Sequence, residues 1–543
     1  MHKSDLQHAG APLTKKLVGI LLALVLMALG MNLLVRFGAT QIWDDAYFFT
    51  RYADNYRATG GYSWNPGEPP SYGLTSVAYG AWVFVMRLFG GEAPISLWVG
   101  SLFWGLVTMA GLWMLIRLQA GADKTQRYAL YGMFGLVVGL NVLNLSVHFS
   151  SGMDTSLAMA WLCGFLYLWK RFEGRLSPGK ALVLGLFGGV AWFIRPDLLL
   201  FPIFMPLTQA LLGIRPLQRK MAAYILLFTC FMVLLLMGGG VKYLGGLFPL
   251  SFYVKSLNSY GAGISNAYSL GGLRHLGLFL LWNFPLLILL PSAVFAARKQ
   301  KQSAFSRPDK ALMVSLLIFL LYHTFLVTPI MGYHQRFLYP VWPILVYLTC
   351  KSWTVWMRLR GGAPILPRTT IYGILVALCC WMATFSWLHR PSNVRATFGK
   401  MDLNTAYREL GQNNWPYLPE FLYLGDSLKI ASTELGILCA MAPRNNIYDL
   451  SGLHHLETAR YGLDTDHLLR QHHPDLIYMP HPDYVEMIAA IRRDTSFQRY
   501  YLEYPSDSIQ SWLGIALWKE SPFFLQMQHI VTLRKNVDAE IVP

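Results

Sequence analysis

Long apolar runs recur through the first 390 residues of the chain, with short polar segments between them. A helix needs about 20 apolar residues to cross the hydrocarbon core of a bilayer, so the pattern predicts a polytopic α-helical membrane protein. We predict eleven crossings, at residues 17–36, 94–117, 128–148, 153–172, 180–195, 197–213, 221–241, 272–296, 311–330, 335–357 and 371–388. The short run Leu74–Phe89 is flanked by glycine, and we predict that it lies at the membrane surface or re-enters without crossing.

The basic residues predict the orientation of these helices. Lysines and arginines cluster before the first run and in later loops, near residues 117–127, 170–175, 215–220, 298–301 and 358–368. Cytoplasmic loops carry an excess of these residues, so we place the clusters and the N-terminus in the cytoplasm. This topology accounts for the net charge of +16, and nucleic acid is not an expected partner. The outer face then receives the loop 37–73 and all residues after 389.

After residue 389 the pattern changes to short apolar runs that alternate with helix-like stretches. Such alternation is typical of a small α/β domain. We therefore predict a transmembrane domain at residues 1–389, which carries the outer loop 37–73, and an α/β domain outside the membrane at residues 390–543. Two histidine pairs, His454-His455 and His472-His473, are candidate metal ligands, but nothing in the sequence completes a site around them. Five of the six cysteines lie in predicted spans, so no disulfide framework is expected.

The adjacent aspartates Asp44 and Asp45 follow the first apolar run. Carboxylates near a membrane cost free energy unless water and a cation reach them. A single aspartate would suffice to cap the helix that the following residues predict. Two adjacent carboxylates raise each other's proton affinity and can divide the work, one taking a proton while the other holds a hydroxyl group or a cation. We predict that both are catalytic, and that Asp45 is the ligand if a divalent cation is used.

The loop after these aspartates is rich in glycine, proline and aromatic residues, which indicates ordered turns rather than a free linker. Tyrosine and tryptophan also form belts at membrane surfaces, so its aromatic residues have two explanations. Aromatic faces stack on sugar rings, while amide, carboxylate and hydroxyl groups bind sugar hydroxyls. The candidate substrate-binding residues are Arg51, Tyr62, Trp64, Asn65, Glu68, Tyr72, Thr75 and Ser76.

Cationic side chains from three separate segments are predicted to reach the same outer face. They are Arg195, Lys255, His334 and Arg336. Each alone can extend to lipid headgroups, but together they predict a pocket that binds the phosphate of a lipid donor. Asp154 and Asp197 occur in the same outer segments, where they either pair with these cations or bind substrate.

Several short motifs follow one another along the chain. In the first outer loop they are Asp44-Asp-Ala-Tyr, Arg51-Tyr-Ala-Asp-Asn, Asn65-Pro-Gly-Glu and Tyr72-Gly-Leu-Thr-Ser. Later in the chain they are Ser151-Gly-Met-Asp-Thr, Arg195-Pro-Asp, Pro249-Leu-Ser-Phe-Tyr-Val-Lys, Arg336-Phe-Leu-Tyr-Pro and Tyr448-Asp-Leu-Ser-Gly-Leu. In this order they resemble the landmarks of GT-C membrane glycosyltransferases. The set spans most of the chain and is most similar to the mycobacterial cell-wall arabinofuranosyltransferases that add terminal β-1,2 residues.

The resemblance implies a GT-C fold in the bacterial plasma membrane, with the C-terminal domain in the periplasm. It also implies inverting transfer of a sugar, arabinofuranose in the closest family, from a polyprenyl-phosphate donor to a glycan or glycoprotein acceptor. We predict that Asp44 acts as the general base on the acceptor hydroxyl and that a divalent cation is optional.

This sequence departs from the family where Asp154 replaces a glutamate and where Gly73-Leu74 interrupts a Gly-Tyr-Thr-Ser order. Mannose, glucose or aminoarabinose therefore stay open as the sugar, with protein or lipid A as the acceptor. A transporter or flippase of lipid-linked glycan is the alternative of another class. The gathering of polar groups at one face, without a visible internal repeat, favours an enzyme.

Overall fold

The computed structural model describes residues 18–33, 42–120, 124–212, 216–256, 269–327, 333–359, 415–482, 484–509 and 513–541. The predicted span 371–388 and the first part of the predicted domain 390–543 lie outside these residues. The described chain is mostly helical, with one small sheet in its last third.

The helical region, residues 18–359, consists of apolar helices joined by short turns. Its α-helices are α1 (Val18–Leu33), α2 (Tyr47–Thr59), α3 (Val77–Leu88), α4 (Ala93–Gln119), α5 (Lys124–Leu140), α6 (Val142–Ser150), α7 (Thr155–Arg171), α8 (Pro178–Gly189), α9 (Ala191–Ile194), α10 (Leu200–Leu212), α11 (Pro216–Leu244), α12 (Leu250–Ser256), α13 (Ser269–Trp282), α14 (Phe284–Lys299), α15 (Arg307–Phe325) and α16 (Trp342–Leu359). Short 3-10 turns lie at Asp44–Ala46, Pro196–Leu199, Tyr333–Gln335 and Tyr339–Val341.

Three described helices, α4, α11 and α15, are long and apolar enough to cross a membrane. The number rises to five if two bent pairs, α5 with α6 and α13 with α14, each form one span. Other apolar helices are shorter. Helix α3, in the run 74–89, has 12 residues and rises only about 18 Å, less than the thickness of a hydrocarbon core. These helices are compatible with a membrane protein, and both the eleven crossings and their orientation stay predictions.

The breaks in the two bent pairs lie against each other. Asn141, between α5 and α6, donates through Nδ2 to the carbonyl oxygen of Trp282 at 3.3 Å, next to the break between α13 and α14. Its Oδ1 accepts a hydrogen bond from the hydroxyl of Tyr339 at 2.9 Å. On α6, Nε2 of His148 donates to the carbonyl oxygen of His334 at 3.1 Å. The bends therefore hold the segment 333–341, which carries Arg336.

The C-terminal region, residues 415–541, contains a five-stranded mixed sheet with the strand order β2-β1-β3-β5-β4. The strands are β1 (Lys429–Ser432), β2 (Asn446–Asp449), β3 (Leu476–Tyr478), β4 (Tyr501–Tyr504) and β5 (Ile515–Trp518). β1 pairs in parallel with β2 and β3, and β5 pairs antiparallel with β3 and β4. The sheet agrees with the α/β pattern read from the sequence.

Short helices cover this sheet. They are α17 (Leu418–Leu422), α18 (Gly436–Met441), α19 (Leu456–Tyr461), α20 (Val485–Arg493), α21 (Thr495–Tyr500) and α22 (Phe524–Ile541), with a π-helix at His467–His472 and a 3-10 turn at Ser506–Ile509. The segments that follow β1 and β2 both leave the carboxyl edge of the parallel strands, where functional groups of α/β sheets usually gather. Both segments contact the first loop segment, residues 42–76.

Candidate active site between the helices and the C-terminal region

A cavity of about 180 Å³ lies where the helical region meets the C-terminal region. The first loop segment contributes Phe48, Phe49 and Thr75 to its wall, and the C-terminal region contributes Leu453. Its charged and titratable lining residues are Asp45, Asp154, Arg195, Asp197, Tyr322, His323 and Arg336. Of the residues predicted from the sequence, the structure thus brings Asp45, Thr75, Asp154, Arg195, Asp197 and Arg336 together around one space.

Asp45 and Arg336 form an ion pair at this cavity. Nη2 of Arg336 donates to Oδ2 of Asp45 at 2.7 Å, and both side chains are largely buried. The guanidinium carbon lies 5.6 Å from the ring centroid of Trp43 and 5.0 Å from that of Phe337. The aromatic rings favour a fixed position of the cation. Because a guanidinium has five N–H donors, Arg336 can bind a further anion while it holds Asp45.

Arg195 and Asp197 form a second ion pair. Two hydrogen bonds, of 2.7 and 3.2 Å, join the guanidinium to the carboxylate. Nε2 of His323 lies 2.9 Å from Oδ2 of the same carboxylate. Helix α9 ends at Ile194 because Pro196 disfavours a helical conformation in the residue before it, and Arg195 is accordingly extended, with φ of −163°. The Arg-Pro-Asp motif thereby directs the side chains of Arg195 and Asp197 toward the same cavity.

Asp154 lies at the start of α7, buried between the two pairs, and interacts electrostatically with both Arg195 and Arg336. The lining therefore holds three aspartates and two arginines. With all three carboxylates ionised and His323 neutral, the site has one negative charge in excess. Such a site can accept a proton and bind an anion within the same small volume.

Asp44 is bound to the C-terminal region and does not line the cavity. Its Oδ2 accepts a hydrogen bond from the backbone N–H of Gly436 at 2.9 Å, and its Oδ1 accepts one from Ile437 at 2.7 Å. Burial raises the pKa of Asp44 from 3.8 to about 6, with a further rise from the charge of Asp45, against the lowering effect of the two N–H groups. The two adjacent aspartates therefore lie in different environments: Asp45 lines the cavity, and Asp44 binds the C-terminal region.

Arg51 also joins the first loop segment to the C-terminal region. Its buried guanidinium donates to the carbonyl oxygens of Trp64, Ala442 and Asn445, at 2.7, 3.1 and 2.8 Å. It also donates to Oδ1 of Asn65 at 2.7 Å. These hydrogen bonds hold the guanidinium against backbone carbonyls. The side chain of Arg51 lies outside the lining of the cavity.

Trp64 and Asn65 cover the exposed edge of β2. Oδ1 of Asn65 accepts the backbone N–H of Ile447 at 2.9 Å, and its Nδ2 donates to the carbonyl oxygen of the same residue at 3.2 Å. Nε1 of Trp64 donates to that carbonyl oxygen at 2.8 Å, while its ring stacks on His454 with centroids 3.8 Å apart. The side chains thus take the place of a neighbouring strand.

The remaining predicted residues of the loop also lie outside the cavity lining. Tyr62 stacks on Tyr52, and the exposed Glu68 accepts a hydrogen bond from Asn65 at 3.0 Å. Tyr72 is buried, and Ser76 caps α3 by accepting the backbone N–H of Tyr79 at 3.3 Å. A sugar-binding role for these residues, and for Arg51, Trp64 and Asn65, stays a prediction.

Two of the four predicted phosphate-binding cations are not placed at the cavity. The backbone of Lys255 belongs to α12, and its side chain lies outside the described part of the structure. His334 is exposed, with Nδ1 3.4 Å from Oδ1 of Asn144, and is not a lining residue. The phosphate-binding proposal therefore rests on Arg195 and Arg336.

Sequence reasoning missed His323 and Leu453. His323 lies inside the predicted span 311–330, and an ionisable residue in such a run was itself a signal of function. Leu453 reaches the cavity because Asp449 fixes the preceding turn: its carboxylate accepts the backbone N–H groups of Ser451, Gly452 and His454 at 2.8, 3.1 and 2.6 Å. The Tyr448-Asp-Leu-Ser-Gly-Leu motif thus shapes one wall of the site.

The carboxylates of the cavity do not form a metal-binding group within the described residues. In that part of the chain, the group close enough to hold an ion is formed by His455, His467 and His472 in the C-terminal region. His455 and His472 come from the two histidine pairs noted in the sequence, and His467 completes the group.

No protein-family model matches this chain, and no curated protein matches it either.

Proposed function

We propose that the protein is an inverting membrane glycosyltransferase that uses a polyprenyl-phosphate sugar donor. The observation that carries this proposal is the cavity in which Asp45, paired with Arg336, lies in the same small volume as Arg195. Glycosyl transfer from a lipid phosphate needs a base for the acceptor hydroxyl and cations for the departing phosphate. Both kinds of group line this cavity.

Asp45 is the better candidate for the general base. It lines the cavity, whereas Asp44 lies outside the lining and has both carboxylate oxygens bound to backbone N–H groups of α18. The sequence predicts Asp44 for this role, and the assay below tests both aspartates. In our proposal Asp44 instead positions the turn Asp44–Ala46 against the C-terminal region, and thereby positions Asp45.

The proposed reaction keeps the charge of the cavity constant. An acceptor hydroxyl gives its proton to the carboxylate of Asp45, and its oxygen forms a bond to the anomeric carbon from the face opposite the phosphate. The bond between the anomeric carbon and the phosphate oxygen breaks, and its electron pair leaves with polyprenyl phosphate. The phosphate gains one negative charge while Asp45 loses one. Arg195 and Arg336 stabilise the negative charge that grows on the phosphate. Their attraction to this charge is stronger in a low-dielectric site than in water.

The identity of the sugar and acceptor extends the same proposal. Arabinofuranose and a glycan or glycoprotein acceptor follow from the family resemblance alone. The C-terminal region supplies Leu453 to the cavity wall, so it stands where an acceptor would approach. We place the cavity at the periplasmic face of a bacterial plasma membrane, with the N-terminus in the cytoplasm. Another sugar, such as mannose, glucose or aminoarabinose, would use the same base and cations.

The test is a transfer assay with purified protein in lipid nanodiscs. It offers polyprenyl-phosphate arabinose and a panel of other polyprenyl-phosphate sugars to a mixed glycan acceptor. We expect Asp45→Asn to lower the transfer rate by about 10²–10⁴-fold, the usual contribution of a general base, while donor binding is retained. Asp426→Asn is the matched control, because Asp426 is exposed and pairs with the exposed Arg444.

Each outcome of this assay decides between stated alternatives. Transfer that persists in Asp45→Asn but is lost in a folded Asp44→Asn would return the base role to Asp44. Transfer from a sugar other than arabinose would keep the mechanism and change the substrate. A protein that transfers no sugar from any donor, yet moves the labelled donor across the bilayer of proteoliposomes, would overturn the glycosyltransferase proposal in favour of a flippase.

A further inference from the structure

Three histidines gather in the C-terminal region, away from the cavity lining. The ligand nitrogens of His455, His467 and His472 all lie within 4.8 Å of one another, and all three side chains are half-buried. Nitrogens bound to one tetrahedral zinc ion at about 2.0–2.1 Å lie about 3.4 Å apart. Any pair of these nitrogens would therefore have to move closer by at most about 1.4 Å to share one ion.

The backbone brings two of these histidines to one face. His467 and His472 are five residues apart and form the two ends of a π-helix. In an α-helix, five residues turn by about 140° beyond a full circle, because each residue turns by about 100°. The wider π-helix closes its hydrogen bonds between residues five apart, and here the ring centroids of the two histidines lie 4.6 Å apart. π-helical turns are often found at functional sites.

Hydrogen bonds around the cluster leave nitrogens available for a metal. Nδ1 of His467 lies 3.3 Å from the hydroxyl of Tyr448, so when Nδ1–H donates to this oxygen the lone pair of Nε2 is free to bind an ion. Nδ1 of His455 lies 2.9 Å from Oγ1 of Thr458 and accepts the backbone N–H of Thr458 at 3.4 Å. Metal binding through Nε2 of His455 therefore requires the tautomer in which Nδ1–H donates to Oγ1 of Thr458, and it gives up the bond from the backbone N–H. Metal-binding histidines usually have such a partner on the other ring nitrogen.

We propose that His455, His467 and His472 bind one Zn²⁺ ion, with a solvent molecule in the fourth position. Three imidazoles with an open position match a known class of zinc site, and imidazole ligands do not suit Mg²⁺ or Ca²⁺. The ion joins the N-terminus of α19 to the π-helix. Since His455 lies two residues after Leu453, the ion also fixes one wall of the cavity described above.

The test uses the full chain without a polyhistidine tag, purified in detergent and freed of metal with a chelator. Zinc is added, excess is removed by dialysis, and bound zinc is measured by elemental analysis, with affinity from isothermal titration. We expect one Zn²⁺ per chain, no competition by excess Mg²⁺, and intense visible absorption bands of a four-coordinate ion when Co²⁺ is added instead.

Two variants and one control decide the proposal. His472→Gln removes one ligand, and His455→Asn removes another while it keeps a residue type that caps helices well; each is expected to weaken zinc binding by more than about 100-fold. His473→Asn is the matched control, because His473 is adjacent in sequence but its ring stacks on Trp518, and it should bind zinc as the wild type does.

Zinc below half an equivalent in the wild type overturns the proposal. It is also overturned if both ligand variants, folded as judged by circular dichroism, bind zinc as tightly as the His473→Asn control. If His472→Gln does not fold, His455→Asn alone carries the comparison.

Discussion

Two buried arginines of this protein have different surroundings and therefore different uses. The guanidinium of Arg51 donates to three backbone carbonyls and to the side chain of Asn65. Arg336 is held by one hydrogen bond to Asp45 and by contacts with aromatic faces at the edge of a cavity. An arginine whose donors are taken by backbone carbonyls fixes structure, while one with donors to spare at a cavity can bind an anion.

The role of Arg51 predicts a loss of stability in Arg51→Lys. A lysine cannot reproduce the planar fork that reaches several carbonyls, and the buried carbonyls that lose their donors cost about 1–3 kcal/mol each. We expect the free energy of unfolding to fall by at least about 2 kcal/mol, measured by thermal or denaturant unfolding in detergent. Arg57→Lys, at an exposed position of the same helix, should leave stability unchanged. Equal stability of the two variants would contradict a structural role for the hydrogen bonds of Arg51 to the C-terminal region.

The raised pKa of Asp44 predicts a pH dependence of stability. Its pKa in the folded protein is about 6, against 3.8 as the ordinary value, so the folded state keeps the proton over a range in which the unfolded state has lost it. The contribution of Asp44 to stability therefore falls as the pH rises from about 4 to about 6. We expect the unfolding midpoint of wild type to decrease more steeply over this range than that of Asp44→Asn. Parallel profiles would show that Asp44 does not titrate in this way.

At the scale of elements, a short helix and a turn hold the two regions together. Helix α18 begins at Gly436, and its first backbone N–H groups bind the carboxylate of Asp44. A Cβ atom at Gly436 would collide with the backbone carbonyl of Asp44. The φ angle of Gly436 is not positive, so this close approach, rather than backbone conformation, accounts for the glycine.

The approach predicts that Gly436→Ala separates α18 from the turn Asp44–Ala46. We expect a loss of about 1–3 kcal/mol in the free energy of unfolding, the usual cost of overpacking, and a lower transfer rate because Asp45 moves with the turn. Gly179→Ala is the control, since a Cβ there meets no atom within 4 Å and alanine favours the helix. A stable, fully active Gly436→Ala would show that the contact is not needed.

The elements divide clearly into those that the sequence could predict and those that it could not. Apolar runs at 94–117, 221–241 and 311–330 correspond to α4, α11 and α15, because length and hydropathy are local properties. The alternating pattern after residue 389 likewise anticipated the sheet. The π-helix at His467–His472 has no periodic signal in the sequence. The sequence therefore did not indicate that His467 lies beside His455 and His472.

The candidate site shows the same division at the scale of residues. The polar motifs of Asp45, Asp154, Arg195 and Arg336 were visible because charged residues stand out between apolar runs. The partner of Asp44 was not, because it is a backbone N–H pair about 390 residues away, which no side-chain pattern reveals. Geometry, rather than residue type, separates the two adjacent aspartates.

At the scale of the whole molecule, the first loop segment completes the edge of the C-terminal sheet. Asn65 binds both the N–H and the carbonyl oxygen of Ile447 on the edge strand β2. We therefore expect Asn65→Ala to speed hydrogen exchange at the amide of Ile447, measured by mass spectrometry of overlapping peptides. Amides of Ala516 and Leu517 in β5, at the far side of the sheet from β2, are the internal control. Unchanged exchange at Ile447 would mean that the loop does not protect this edge.

The hydrogen bonds between Arg51 and the C-terminal region can form only after a delay during synthesis of the protein. The carbonyl oxygen of Ala442 that binds Arg51 lies 391 residues later in the chain. A ribosome that adds about 5–20 residues per second reaches it about 20–80 s after Arg51 has been made. During that interval Arg51 lacks the carbonyl oxygens of Ala442 and Asn445. A chain interrupted before residue 442 lacks these groups, and it also lacks Leu453, which forms part of the cavity wall. We therefore expect the two regions to come together only late in synthesis.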